Sequence, residues 1–76
     1  MPPIEDRLIA LQRRIDNDRI TGRLTQTEAR EFQPRLDAIR SDYLRMTEGG
    51  RFLRYEDRAE ITRRIDFLEI DIDRGR

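Results

Sequence analysis

The run Ala29-Arg30-Glu31-Phe32-Gln33-Pro34-Arg35-Leu36-Asp37-Ala38-Ile39-Arg40-Ser41-Asp42-Tyr43-Leu44-Arg45-Met46 decides how this chain folds. Its apolar residues Ala29, Phe32, Leu36, Ile39, Tyr43 and Met46 recur at alternating intervals of 3 and 4. An α-helix turns once in about 3.6 residues, so that spacing gathers all six onto one face. Working outward, Ile4, Leu8, Leu11 and Ile15 repeat the pattern before it, and Ile61, Ile65, Leu68 and Ile72 repeat it after. The spacing predicts helices over 4–20, 26–47 and 54–73. Short connections make consecutive helices antiparallel. The expected fold is therefore all-α, a three-helix up-down-up bundle with two Gly-containing tight turns, in one domain over 1–76.

The first turn carries recognisable chemistry. Gly22 stands where a helix end calls for a left-handed residue, which costs glycine nothing because it has no Cβ. Thr25-Gln26-Thr27-Glu28 then reads as a capping box, with the Thr25 hydroxyl on the Glu28 amide and the Glu28 carboxylate on the Thr25 amide. Leu24 and Ala29 occupy the positions of a hydrophobic staple. The second turn resembles the first: Gly50-Arg51-Phe52 aligns with Gly22-Arg23-Leu24, and Glu56 with Glu28, at an offset of 28 residues. Leu36, Ile39 and Tyr43 follow Leu8, Leu11 and Ile15 at the same offset, as an internal duplication would leave them. This alignment puts Leu53 at the capping position, without a hydroxyl.

Pro34 removes one backbone hydrogen bond and crowds the carbonyl of Arg30, so a kink rather than a break is expected. The alternation of apolar and acidic residues from Leu68 to Asp73 is strand-like, but helical spacing runs across it from Ile61 to Ile72. Glu31 with Arg35 and Glu60 with Arg64 stand at helical pairing distance on the outer faces.

Charged residues make up 42% of the chain, and 16 acids balance 16 bases. Nucleic-acid binding asks for a basic surplus, which is absent, so no nucleic-acid partner is expected. All the bases are arginine, the residue that pairs most firmly with carboxylates. No apolar run approaches the ~20 residues that span a bilayer, so membrane insertion is not expected. The amino end has neither a basic start nor an apolar stretch and does not read as a signal peptide. With no cysteine, no disulfide or thiolate site can reinforce so small a core.

Several motifs invite a chemical reading. From Asn17, a calcium-loop frame finds Gly22 at the sixth place and Glu28 at the twelfth. Its early ligand places hold Asn17, Arg19 and Thr21, however, where carboxylates should dominate. A glycine turn with a capping box explains the same residues. Asp66, Glu69 and Asp73 share a helix face with Asp71 nearby and could hold a hard cation weakly. Solvated acids, offset by Arg74 or Arg76 against the unfavourable helix dipole, are the plainer account. With neither His nor Cys, a nucleophile would have to be a hydroxyl or carboxylate, and Ser41, the one serine, stands mid-helix with no activating neighbour. An enzyme is not expected, nor a cofactor. A DNA-reading corner would present Gln26, Thr27, Glu28 and Arg30, with Glu28 and Glu31 facing phosphates. Four apolar residues remain outside the stripes: Ile9, Leu44, Phe67 and Ile70. Single exposed apolar residues are ordinary, but four on so polar a chain can form a surface for a partner or a second copy.

The string Ile15-Asp16, Thr21-Gly22-Arg23-Leu24-Thr25 and Glu28-Ala29, with Leu36, Ile39 and Tyr43, resembles small helical domains of proteobacterial exported proteins of unknown function. Gly49-Gly50-Arg51-Phe52, Glu56-Asp57-Arg58 and Ile65-Asp66-Phe67-Leu68 extend the likeness over nearly the whole chain. Leu53 departs from it, since such domains usually carry Ser or Thr there. Residues 8–36 are also similar to the helical hairpins called SHOCT domains, thought to oligomerise. Both resemblances imply an interaction or scaffold module without catalytic residues, and the first implies a periplasmic home. The sequence thus leads to a non-enzymatic protein–protein interaction or structural module, with a protein partner or a homodimer. A small accessory protein binding a ligand or cation on its carboxylate-rich faces is the alternative.

The weak ligand set at Asn17, Arg19 and Thr21 generates the first prediction. Millimolar calcium should leave the melting temperature and the amide NMR spectrum unchanged. A saturable shift centred on Asn17 to Glu28 would restore the calcium-loop interpretation.

Overall fold

The computed structural model describes residues 3–48 and 52–75, which form three helices: α1 (Ile4–Ile20), α2 (Gln26–Met46) and α3 (Tyr55–Arg74). Each helix packs on both others. Side-chain pairs fix their directions. Glu5 meets Tyr43 while Gln12 meets Gln33, so α1 and α2 run antiparallel. Arg35 meets Asp71 while Arg64 meets Asp42, so α2 and α3 do too. Arg7 reaches Asp66, and Arg14 reaches Asp73, which sets α1 parallel to α3. The topology is up-down-up, in a body of 39 × 19 × 19 Å.

The apolar stripes meet along the bundle axis. Ile4, Leu8, Leu11 and Ile15 from α1, Ala29, Phe32, Leu36 and Ile39 from α2, and Ile61, Ile65, Leu68 and Ile72 from α3 are all buried, together with Leu24. Tyr43, Met46 and Leu53 cover this core while half-exposed. No polar or charged residue is buried among the described residues. Each described charged side chain therefore keeps part of its surface in water and escapes the full cost of an interior ion pair. Asp18 Oδ2 is itself covered, however, and meets only Arg14 and Arg23, each at 3.7 Å. Pro34 is exposed, and α2 runs through it as one helix, because the lost hydrogen bond lies on the solvent side, opposite the packed stripe.

The first corner follows its chemistry. Gly22 adopts φ +80°, a conformation that L side chains rarely take. The Gly22 amide donates to the Arg19 carbonyl at 3.3 Å and the Leu24 amide to the Asp18 carbonyl at 2.9 Å, which satisfies the end of α1 and swings Leu24 into the core. The capping box is complete: the Glu28 amide donates to the Thr25 hydroxyl oxygen at 3.0 Å, and the Thr25 amide donates to the Glu28 carboxylate at 2.8 Å.

The second corner departs from the duplication. Gly50 and Arg51 lie outside the described residues, but the start of α3 is clear. Its N-cap is Arg54 rather than Leu53, and no side chain caps it. Phe52, aligned with buried Leu24, is 97% exposed, whereas Leu53 packs on the core. The structural counterpart of Leu24 is thus Leu53, one residue later than the alignment placed it. Each is the apolar residue immediately before its N-cap, the position that anchors chain entry into a helix. The end of α3 uses a signal missing from the sequence reading: Gly75 takes φ +69° and donates its amide to the Ile72 carbonyl at 3.0 Å.

The expected pairs along single helices are also corrected. Arg35 turns away from Glu31 to reach Asp71 on α3 at 2.7 Å, and Arg64 turns from Glu60 to reach Asp42 on α2 at 2.7 Å. Arginine is long enough to span a helix seam. There it joins two elements, whereas an exposed pair within one helix contributes only ~0.3–0.5 kcal/mol. No ion pair crosses the α1–α2 seam among the described residues: Gln12 and Gln33 exchange amide hydrogen bonds of 2.9 and 2.7 Å, and the Arg40 guanidinium donates to Gln12 at 3.4 Å.

Two predictions follow from these contacts. Thr25→Ala should lower stability by about 0.5–2 kcal/mol in thermal melts, because it removes an N-cap. Leu53→Ser, harmless if Leu53 were an exposed capping position, should instead cost about 1 kcal/mol through lost apolar burial. A silent Thr25→Ala would refute the capping contribution.

The second concerns pH. The Tyr43 hydroxyl donates to Glu5 at 2.5 Å, and that bond is the main cause holding the Glu5 carboxyl below its ordinary value of 4.5. The same bond, with burial, raises Tyr43 above its ordinary 10.0. A depressed carboxyl stabilises the fold above its unfolded pKa, and the effect fades as pH falls through the folded value. A raised phenol stabilises below its unfolded pKa, and the effect fades as pH rises through the folded value. Stability should therefore decline below about pH 4.5 and above about pH 10. Tyr43→Phe should flatten the alkaline decline and shrink the acid one. Melting curves for the variant that follow the parent's pH profile would remove this bond from the account.

Candidate interaction surfaces

Ile9, Leu44, Phe67 and Ile70 are all exposed, at 51%, 61%, 57% and 43%. The fold does not gather them at one place. Phe67 borders an open groove between α2 and α3, beside Arg35, Ala38, Ile39, Arg64 and Asp71. Leu44 borders a separate depression at one end of the bundle, with Glu5, Tyr43, Phe52, Leu53 and Arg58. Ile9 and Ile70 line neither. Leu44 and Phe67 thus border different areas, since the four residues project from three helices.

Three further apolar side chains were missed. Ile20 closes α1, Tyr55 opens α3 and Phe52 precedes it, all strongly exposed. The signal for Ile20 was present, since it falls five residues after Ile15 and so leaves the stripe. Phe52 was hidden by its alignment with Leu24. Tyr55 heads a shallow strip along α3 with Arg58, Ala59, Thr62, Arg63 and Asp66.

The acidic face of α3 is occupied by arginines. Asp66 and Glu69 both accept from Arg7, at 2.6 and 2.9 Å, Asp71 accepts from Arg35, and Asp73 from Arg14. These partners come from other helices, not from Arg74 as expected; Arg76 lies outside the described residues. The arrangement holds the Arg7 guanidinium above its ordinary pKa, chiefly through its hydrogen bond to Asp66 and then that to Glu69. The Asp42 carboxyl is correspondingly lowered, first by the hydrogen bond from Arg64, which outweighs the opposing effect of burial, and then by the charges of Arg45 and Arg64. Among the described residues no group of three or more His, Cys, Asp or Glu side chains is placed to hold a metal ion.

The calcium-like loop is used in the same internal way. The Asn17 carbonyl accepts the Thr21 amide, the Asp18 carbonyl accepts the Leu24 amide, and Glu28 is engaged by Thr25. At the bundle end, the Tyr43–Glu5 hydrogen bond makes the phenol harder to ionise, which is the opposite of activating it as a base. Ser41 is exposed on α2. What the surface offers chemically is apolar contact area framed by charge.

No protein-family model matches the chain, and neither a curated protein nor a solved structure does. The resemblance to exported helical domains and to SHOCT hairpins therefore rests on the quoted residues alone.

Proposed function

We propose that this chain is a non-enzymatic protein–protein interaction module whose contact face is built from its exposed apolar side chains. The observation that carries the proposal is Phe67, 57% exposed beside exposed Ile70 on a helix whose opposite face already fills the core with Ile61, Ile65, Leu68 and Ile72. The bundle closes without these two residues. Exposed large apolar groups on a chain so rich in charge expose area that association removes from water, at about 25 cal/mol per Å². Both family resemblances point the same way. Cation binding on carboxylate faces is the weaker reading, since Asp66, Glu69, Asp71 and Asp73 each engage an arginine.

The test is site-specific crosslinking in the native cells. A photoreactive amino acid at Phe67 should yield a covalent protein adduct, and one at exposed Arg13 on α1 should not. If no adduct forms at Ile9, Leu44, Phe67 or Ile70, the chain does not work through these surfaces.

A further inference from the structure

The outer face of α3 carries more information than its two apolar residues. Glu56, Glu60, Arg63, Phe67, Ile70 and Arg74 are all exposed, and they recur at intervals of 4, 3, 4, 3 and 4. They form one stripe along the helix, turned away from the core-facing isoleucines. Along this stripe the charges are ordered, with the acids Glu56 and Glu60 at its start, Arg63 near its middle and Arg74 at the far end. Among the described residues neither Glu56 nor Arg74 has an ion-pair partner, and Glu60 meets Arg63 only at 4.0 Å. Elsewhere on α3, Asp66, Glu69, Asp71, Asp73 and Arg64 are tied to α1 and α2. On this face Glu56 and Arg74, at its two ends, are left without an ion-pair partner among the described residues.

We infer that the partner of this surface is a second copy of the chain, with the two α3 helices packed antiparallel over their full length. The inference rests on the interaction-module reading and names its partner. Full antiparallel overlap brings Glu56 opposite Arg74 of the second copy, at both ends of the pair. Arg63 then lies over the Phe67 ring of the second copy, a cation–π contact made twice about the twofold axis. Ile70 is level with Glu60 of the second copy and beside its Ala59, a large residue next to a small one. Parallel pairing would instead stack Glu56 on Glu56, Glu60 on Glu60, Arg63 on Arg63 and Arg74 on Arg74, four like-charge contacts. Charge order therefore selects the antiparallel arrangement, which also opposes the helix dipoles. The contact is isologous and closes at two copies.

The dimensions suit such a pair. A stable interface buries roughly 800 Å² per partner, about a seventh of the 5458 Å² that this chain exposes. One long side of a 39 × 19 Å body supplies it. The other exposed apolar residues are less suited: Ile9 and Ile20 stand three turns apart on α1, whereas Phe67 and Ile70 are within one turn.

The chain lacks cysteine, so engineered thiols report the register directly. Glu56→Cys and Arg74→Cys variants, mixed and oxidised, should form a disulfide-linked pair, and neither alone should link to itself. The unmodified protein should sediment as two copies, and Phe67→Ser with Ile70→Ser as one, with helical content unchanged by circular dichroism. Arg74→Glu should weaken association several-fold, and adding Glu56→Arg should restore it, since exposed pairs contribute ~0.2–1 kcal/mol each. Self-linking of Glu56→Cys would overturn the antiparallel register. A dimer that links in neither case would place the contact on another face. A purified chain that stays monomeric at every concentration, while Phe67 still crosslinks to a different protein in cells, would overturn self-pairing and leave the interaction-module reading intact. Unfolding of the Phe67→Ser, Ile70→Ser variant would assign these side chains to the core and overturn the inference too.

Discussion

Everything in this molecule depends on a seam of thirteen buried apolar side chains that admits no polar neighbour. A chain with 36% hydrophobic residues has few apolar groups to bury, and compact packing gathers those it uses onto one stripe per helix. Each helix contributes four residues, and Leu24 closes the first corner. Because no charge enters the interior, the polar majority is left free to act at the helix seams. The apolar stripes hold the helices together, and the seam contacts choose how they slide and which way they run.

That division explains why some of the fold was legible in the sequence and some was not. The stripes were legible because period alone specifies which residues share a face, whatever they pack against. The Gly22 corner was legible because its cap is local chemistry within a few residues. The start of α3 was misplaced by one residue for the converse reason. Arg54 offers no hydroxyl or carboxylate to mark the boundary, and only packing identifies Leu53 rather than Phe52 as the residue that turns inward. Arginine partners were illegible on similar grounds. A flexible side chain at Arg35 or Arg64 can reach along its own helix or across a seam, and the sequence does not say how near the next helix lies. The exposed residues Ile9, Leu44, Phe67 and Ile70 were correctly read as leftovers from the stripes. Their separation into different areas depends on helix rotation, which spacing within one helix cannot supply.

The two ends of the bundle are built differently. At one end Glu28 caps α2 with one carboxylate oxygen, while its other oxygen would stand 3.3 Å from a Cβ added at Gly75. The last turn of α3 thus lies against the corner that begins α2. A side chain at Gly75 would have to displace Glu28 as well as adopt a left-handed backbone. At the opposite end, the Tyr43 hydroxyl donates to Glu5 near half-buried Leu53.

The seams also differ in their sensitivity to the medium. Between α1 and α2 the described contacts are an amide pair, Gln12 with Gln33, the Arg40 guanidinium on Gln12, and the Tyr43 phenol on the Glu5 carboxylate, with no ion pair across the seam. Between α3 and its neighbours they are arginine–carboxylate pairs: Arg7 with Asp66 and Glu69, Arg14 with Asp73, Arg35 with Asp71, and Arg64 with Asp42. Dissolved ions screen full charges strongly and neutral dipoles hardly at all. Ionic strength consequently acts more on the attachment of the third helix than on the seam between the first two. The molecule is a hairpin joined without cross-seam ion pairs and closed by a salt-responsive clasp.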